Sequence, residues 1–76
     1  MSLLGGVPGV TKKVRVYRGF RIQIDRDGSW CEANLYNLAK GGRLEEHLGS
    51  GTYGGPGTYE SFFRRGERVV DAMHGE

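Results

Sequence analysis

The fold is decided by residues 20–36, Phe20-Arg-Ile-Gln-Ile-Asp-Arg-Asp-Gly-Ser-Trp-Cys-Glu-Ala-Asn-Leu-Tyr36, which have the alternation of a β-hairpin. Asp27-Gly28 is typical of a two-residue type I′ turn, because that turn needs positive φ at both central positions. Folding about it predicts three cross-strand pairs, which are Ile24 opposite Cys31, Ile22 opposite Ala33 and Phe20 opposite Leu35.

The predicted hairpin has one apolar face and one polar face. The six paired residues share the apolar face, which we expect to be the core. A slip of one residue would bring Glu32 and Asn34 into that core, so the register is well specified. The single tryptophan falls on the face away from the core. That outer face carries Arg21, Gln23, Asp25, Trp30, Glu32 and Asn34.

The size and charge of the chain limit its class. Its 76 residues suffice for one domain, and 37% hydrophobic content allows one small core. The net charge of +2 does not demand a nucleic-acid partner, since such binding needs clustered cations. The one cysteine, Cys31, excludes an internal disulfide and favours a reducing compartment.

The first 11 residues predict a flexible leader that precedes a domain over 12–76. Gly5, Gly6, Pro8 and Gly9 break its short apolar run, which also has no basic segment before it, so it does not resemble a signal peptide. No stretch approaches the roughly 20 apolar residues of a membrane span. We therefore expect a cytoplasmic protein with no membrane contact.

Two segments flank the hairpin. Residues 12–17 alternate like a short strand, with Val14 and Val16 predicted to face the core and Arg15 and Tyr17 to face outward. Arg18-Gly19 would be a tight link or a bulge. Residues 43–48 fit either one helical turn or a last edge strand. The glycine-rich segment 49–57 is typical of a mobile loop.

From Thr58 onward the hydrophobic period changes to that of a helix. Thr58 is the expected N-cap and Gly75 the expected end. Gly66 lies on the apolar stripe, where the missing side chain would let the helix approach the sheet closely. The predicted fold is α+β: an antiparallel β-meander of three strands, or four, packed on one C-terminal helix. The apolar stripe comprises Tyr59, Phe62, Phe63, Gly66, Val69, Val70 and Met73.

No motif in the chain predicts catalysis. Gly49-Ser-Gly-Thr-Tyr-Gly54 matches a dinucleotide-binding pattern, but that motif requires a helix immediately after it. Cys31, His47 and His74 do not have the spacing of zinc ligands, and Cys31 is expected to be buried rather than an exposed nucleophile. We therefore predict no catalytic residues, no metal and no small-molecule cofactor.

The outer sheet face is the best candidate for function. Aromatic residues and arginines together are enriched at protein interfaces and also in single-strand nucleic-acid platforms. Cross-strand pairing in an ordinary open sheet would explain the same residues, so three interpretations stay open. Arg64, Arg65 and Arg68 on the helix could add phosphate contacts. The predicted partner face comprises Arg15, Tyr17, Arg21, Gln23, Trp30, Asn34 and Tyr36.

Three elements of the chain resemble a broad group of small, largely uncharacterised bacterial and phage proteins of β-β-β-α architecture. They are Tyr17-Arg-Gly-Phe-Arg-Ile22, then Trp30 with Ala33, and then the segment 58–73 with Gly66 and Val70-Asp71 near its end. The resemblance spans about residues 17–73 and implies a bacterial or phage origin. It implies no catalytic residues for this chain.

The residues and the resemblance together lead to one expected function. We expect a small non-enzymatic binding module, a regulator or inhibitor by analogy with small phage proteins of this shape. Its outer sheet face would contact a protein partner or a second copy, with Trp30 as the anchor. Nucleic-acid binding by the same face and the helix arginines is the alternative.

Overall fold

Two-residue turns and one short loop join the strands into a meander in the computed structural model, which describes residues 10–75. The sheet has four antiparallel strands in the order β1-β2-β3-β4, and a single helix follows. This confirms the predicted α+β class and selects four strands. The elements are β1 (Val10–Tyr17), β2 (Phe20–Asp27), β3 (Trp30–Asn37), a 3₁₀ turn (Leu38–Lys40), β4 (Arg43–Thr52) and α1 (Pro56–Met73).

Strand β1 begins earlier than the sequence predicts. Val10 and Thr11 pair with Asp27 and Arg26 of β2, so these two residues belong to the sheet and not to a leader. Cross-strand pairing satisfies their backbone groups, which the glycine and proline pattern upstream could not reveal. Residues 1–9 of the predicted leader lie outside the described residues.

The β2–β3 hairpin forms about Gly28-Ser29 instead of Asp27-Gly28. Asp27 pairs with Trp30, which moves every predicted pair by two residues. Only Gly28 has positive φ in this turn, at 61°, as in a type II′ turn whose first central residue is glycine. Asp27 therefore avoids the left-handed region. A shift of two preserves the side-chain alternation, so the predicted core residues still face the core.

The predicted orientation of β1 is wrong. The turn at Arg18-Gly19 has positive φ at both residues and pairs Tyr17 directly with Phe20, without a bulge. Directly paired residues share a face, so Arg15 and Tyr17 point toward the helix side. Val14 and Val16 consequently point to the outer face, where they are 47% and 61% exposed.

The segment between β3 and the helix also departs from expectation. Residues 43–48 form part of the edge strand β4, the second of the two predicted alternatives, and β4 continues through Gly49 to Thr52. The first four residues of the predicted mobile loop 49–57 are thus strand, and its last two belong to α1. The helix begins at Pro56 after Gly55, so Thr58 is not the N-cap, although its Oγ1 accepts a hydrogen bond from the Gly54 N–H at 2.8 Å. Gly75, at φ 81°, follows the end of α1 as predicted.

The core lies between the inner sheet face and α1. Ile22, Ile24 and Val70 are fully buried in it. Gly66 lies directly against Ile22: a Cβ on Gly66 would be only 2.8 Å from Ile22 Cγ1. At this point the helix therefore lies closer to β2 than a side chain on residue 66 would allow. The buried apolar residues are Phe20, Ile22, Ile24, Cys31, Ala33, Leu35, Leu48, Phe62, Phe63 and Val70.

The inward residues of β1 lie over the flank of α1 instead of its centre, and they form a charged cluster there. The Arg15 guanidinium stacks over the Phe63 ring at 4.4 Å. Its two terminal nitrogens reach Glu60 at 3.0 Å and Glu67 at 3.1 Å. This arrangement explains why an arginine tolerates the helix side of the sheet, since its stem and plane cover apolar surface while its charge is paired.

Asp71 completes the flank one helical turn further along. It accepts a hydrogen bond from the Tyr17 hydroxyl at 2.9 Å and forms an ion pair with Arg18 Nη1 at 2.8 Å. The Arg18 and Tyr17 hydrogen bonds lower the pKa of the Asp71 carboxyl. The same hydrogen bond raises the pKa of the Tyr17 hydroxyl.

The Gly66 contact generates a prediction about stability. Alanine is a better helix former than glycine, yet Gly66→Ala should lower the free energy of unfolding by about 1–3 kcal/mol, because the added methyl overlaps Ile22. Gly57→Ala is the matched control, since its Cβ would meet no neighbour. Urea denaturation should find Gly57→Ala unchanged or stabilised. Equal effects of the two variants would contradict the close approach.

The Asp71 cluster generates a prediction about acid stability. A carboxyl with a lowered pKa in the folded state stabilises the fold above its unfolded pKa, about 4, and this contribution is lost as the pH falls through the folded value. Asp71→Asn should therefore flatten part of the fall in unfolding free energy below about pH 4. Glu46→Gln removes an exposed carboxylate that has no ion pair among residues 10–75, so it is the control and should keep the wild-type slope. An unchanged slope in Asp71→Asn would show that the cluster does not form.

Candidate protein-binding face

The sheet face opposite α1 is the candidate functional site, and we call it the outer face. Within residues 10–75 no helix or strand covers it, because the single described helix packs on the other side. Cross-strand pairing arranges its side chains in four rows that run across the strands. The rows differ in chemistry from one end of the strands to the other.

The row nearest the β1–β2 turn is apolar with one cation. It runs Val16, Arg21, Tyr36, Leu44 from β1 to β4. The Arg21 guanidinium lies 4.7 Å from the centroid of the Tyr36 ring, and Leu44 beyond it is 53% exposed. The Arg21 Nε is shielded from solvent and has no hydrogen-bond partner among the described residues. The stack therefore holds the arginine against the tyrosine ring.

The second row is polar apart from its valine. It consists of Val14, Gln23, Asn34 and His47. His47 Nδ1 lies 2.9 Å from Asn34 Oδ1, a distance at which an Nδ1–H donates to the amide oxygen. This contact ties β4 to β3 between two register shifts in their pairing, which lie at Ala33/Asn34 and Leu35/Tyr36.

The two remaining rows make the other end of the face acidic. Asp25, Glu32 and Asp27 lie there, with Lys12 as the one cation of these rows. Trp30 sits between Asp27 and Thr52 in the last row and is 49% exposed. The complete rows are Lys12, Asp25, Glu32 and Ser50, and then Val10, Asp27, Trp30 and Thr52.

Several charges of the outer face have no ion-pair partner in the described part of the chain. The ion pairs there all belong to the flank of α1, where Arg15 and Arg18 meet carboxylates. Arg21 and Asp27 lie six residues apart on β2, roughly 20 Å along the strand, so they cannot pair with each other. Both charges are therefore available to a binding partner.

The structure brings together five of the seven residues predicted for the partner face, and these are Arg21, Gln23, Trp30, Asn34 and Tyr36. Arg15 and Tyr17 are not among them, because the direct Tyr17–Phe20 pairing turns both toward α1.

The sequence prediction missed the residues that β1, the end of β2 and β4 contribute to the outer face. They are Val10, Lys12, Val14, Val16, Asp27, Leu44, His47, Ser50 and Thr52. The spacing of a two-residue turn at Arg18-Gly19 was the signal that could have placed Val14 and Val16 on this face.

One of the three predicted helix arginines, Arg65, also contacts the sheet. Arg65 Nη1 donates a hydrogen bond to the Leu48 carbonyl at 2.9 Å, and its guanidinium lies 5.2 Å from the Phe62 ring. Arg64, Arg65 and Arg68 are all exposed. Their contact with phosphate stays a prediction.

The described residues offer little support for a reactive thiol, a metal site or a membrane-spanning helix. Burial raises the pKa of the Cys31 thiol, which opposes a reactive thiolate. Among residues 10–75 no three side chains of the histidine, cysteine or carboxylate kind come together as a metal-ligand group. No helix in the same range combines the length and apolarity needed to cross a membrane.

Comparison of the chain with protein-family models, with curated proteins and with solved structures finds no match. The resemblance to small bacterial and phage proteins therefore stays a prediction.

Proposed function

We propose that this protein is a small binding module that contacts another protein chain through its outer face. The observation that carries the proposal is the set of half-exposed apolar side chains on a sheet face that no described element covers. Val16, Leu44 and Trp30 are 61%, 53% and 49% exposed. Burying them in an interface would remove apolar surface from water, which is the main driving force of protein association.

The polar residues of the outer face support the same function. Arginine, tyrosine and tryptophan are the residue types most enriched among those that dominate binding energy. Arg21 and Tyr36 are already stacked, so little side-chain entropy remains to be lost when a partner binds. Strand β2 and strand β3 are the two central strands, so these anchors have a rigid support.

Nucleic-acid binding by the same face has less support. Asp25, Asp27 and Glu32 lie at one end of the face and would repel a phosphate backbone. Arg15, which the sequence assigned to this face, is instead paired with Glu60 and Glu67 on the helix side. The remaining cations on the outer face are Lys12 and Arg21, fewer than a backbone-tracking groove uses.

Site-specific photo-crosslinking tests the proposal. A benzophenone amino acid replacing Val16 should give discrete covalent adducts with protein in the cells that produce this chain, because the side chain projects from the outer face. The same replacement of Arg68, which is exposed on α1, is the matched control and should give far fewer. Adducts are detected by gel shift and mass spectrometry.

The comparison of the two positions decides the outcome. Adducts with this chain itself or with another protein both support the proposed function. The absence of adducts from position 16, or equal yields from positions 16 and 68, would contradict it.

A further inference from the structure

The outer face has an internal symmetry that indicates its occupant. A cross-strand row runs through the middle of three strands and consists of Lys13, Ile24 and Ala33. Three residues before and three residues after this row on each strand, the outer face carries side chains that can pair with each other by charge, as aromatic rings or as apolar groups. The symmetric pairs are Arg21 with Asp27 about Ile24, Tyr36 with Trp30 about Ala33, and Val16 with Val10 about Lys13.

We infer that the outer face binds a second copy of this chain, stacked face to face about a two-fold axis perpendicular to the strands. This inference rests on the proposed function and names its partner. Such an axis above the Lys13, Ile24 and Ala33 row places each strand of one copy antiparallel to the same strand of the second copy. Arg21 then faces Asp27 of the second copy, and the reverse pair forms by symmetry.

The aromatic contacts in this arrangement are also favourable. Tyr36 with its stacked arginine faces Trp30 of the second copy, which gives two aromatic pairs. Packed sheets cross at about 30°, so the matches hold best near the centre of the face. The ion pair and the aromatic pair lie on β2 and β3, the central strands, about 10 Å along the strands from the axis. A crossing of about 30° displaces facing side chains there by about 5 Å, which long arginine and aromatic side chains can span.

The other face-to-face two-fold is unfavourable. An axis parallel to the strands would place β2 of one copy over β3 of the second copy. Each row of side chains would then face the same row of the second copy. Asp25 would then face Glu32 of the second copy, and the contact would occur twice. Like charges opposed across an interface destabilise it. The perpendicular axis brings no two like charges opposite each other.

The area of the face sets the expected strength of the dimer. Four strands about 4.8 Å apart and eight residues long give a footprint of roughly 500 Å². A standard interface buries about 800 Å² on each partner. We therefore expect a reversible dimer with a Kd in the micromolar range, dependent on the Arg21–Asp27 pair for its register.

Charge exchange across the two-fold provides the test, with the mass measured by sedimentation velocity from about 10 μM to 1 mM. In the Arg21→Glu variant the new carboxylate of each copy faces Asp27 of the other copy. In the Asp27→Arg variant the new guanidinium of each copy faces Arg21 of the other copy. Each single variant should raise the Kd for self-association at least about tenfold. Arg68→Glu makes the same charge change on exposed α1 and should leave the Kd unchanged.

Mixing the two single variants distinguishes register from general charge effects. In the mixed dimer Glu replaces Arg21 in one copy and Arg replaces Asp27 in the other, so both ion pairs are restored across the interface. An equimolar mixture should therefore dimerise with a Kd close to that of the wild type. The double variant Arg21→Glu/Asp27→Arg should also recover self-association, because each copy then carries the exchanged pair.

Three results would overturn the inference: a wild-type chain that stays monomeric to about 1 mM, single variants that dimerise as well as the wild type, or a mixture that fails to recover. Circular dichroism of each variant establishes that the fold is intact. Adducts of a benzophenone at position 16 with a different protein, together with a monomeric wild type, would reject the second copy and leave the proposed function standing.

Discussion

The contact between Gly66 and Ile22 is the constraint on which the rest of this structure depends. With no side chain at Gly66, α1 lies directly on β2, at a distance that a methyl group could not share. This contact centres the helix on the inner face and brings Phe62, Phe63 and Val70 into the core. Because α1 covers the inner face, the outer face stays uncovered by any helix among the described residues.

The position of the helix explains the unusual composition of β1. This strand lies at an edge of the sheet, so its inward side chains reach the flank of α1 and not its apolar stripe. An arginine and a tyrosine suit that position, since each has an apolar body and a polar tip that meets Glu67 or Asp71. The valines of the strand then face outward, where they become part of the candidate interface.

The sequence alone predicts the central hairpin, the helix and the core with little ambiguity. A two-residue error in the β2–β3 register did not affect the faces, because side-chain alternation has a period of two. The phase of β1 was lost at Arg18-Gly19, where a bulge and a direct turn predict opposite faces. Val14 and Val16 suggested the core by composition, and no local signal reports that a charged cluster across 52 to 54 residues stabilises the opposite phase.

The glycine-rich segment shows a second limit of sequence patterns. Its glycines predict a loop, yet Gly49 belongs to β4, where its φ of 133° is one that residues with a side chain rarely adopt and where the tip of Arg65 packs close to it. The same letters can therefore mean mobility or close packing, depending on a residue 16 positions away. The sequence pattern could not place Leu44 and His47 on the outer face for the same reason, since both lie there only because β4 forms.

An NMR nuclear Overhauser spectrum of a dilute sample, with methyl assignments for the isoleucine and valine residues, tests this packing most directly. We expect contacts between the Ile22 methyls and the Gly66 Hα, and no contact between the Val14 or Val16 methyls and any proton of α1. Contacts from the Val16 methyls to the Phe63 ring would contradict it, because they would reverse β1 and remove the valines from the outer face.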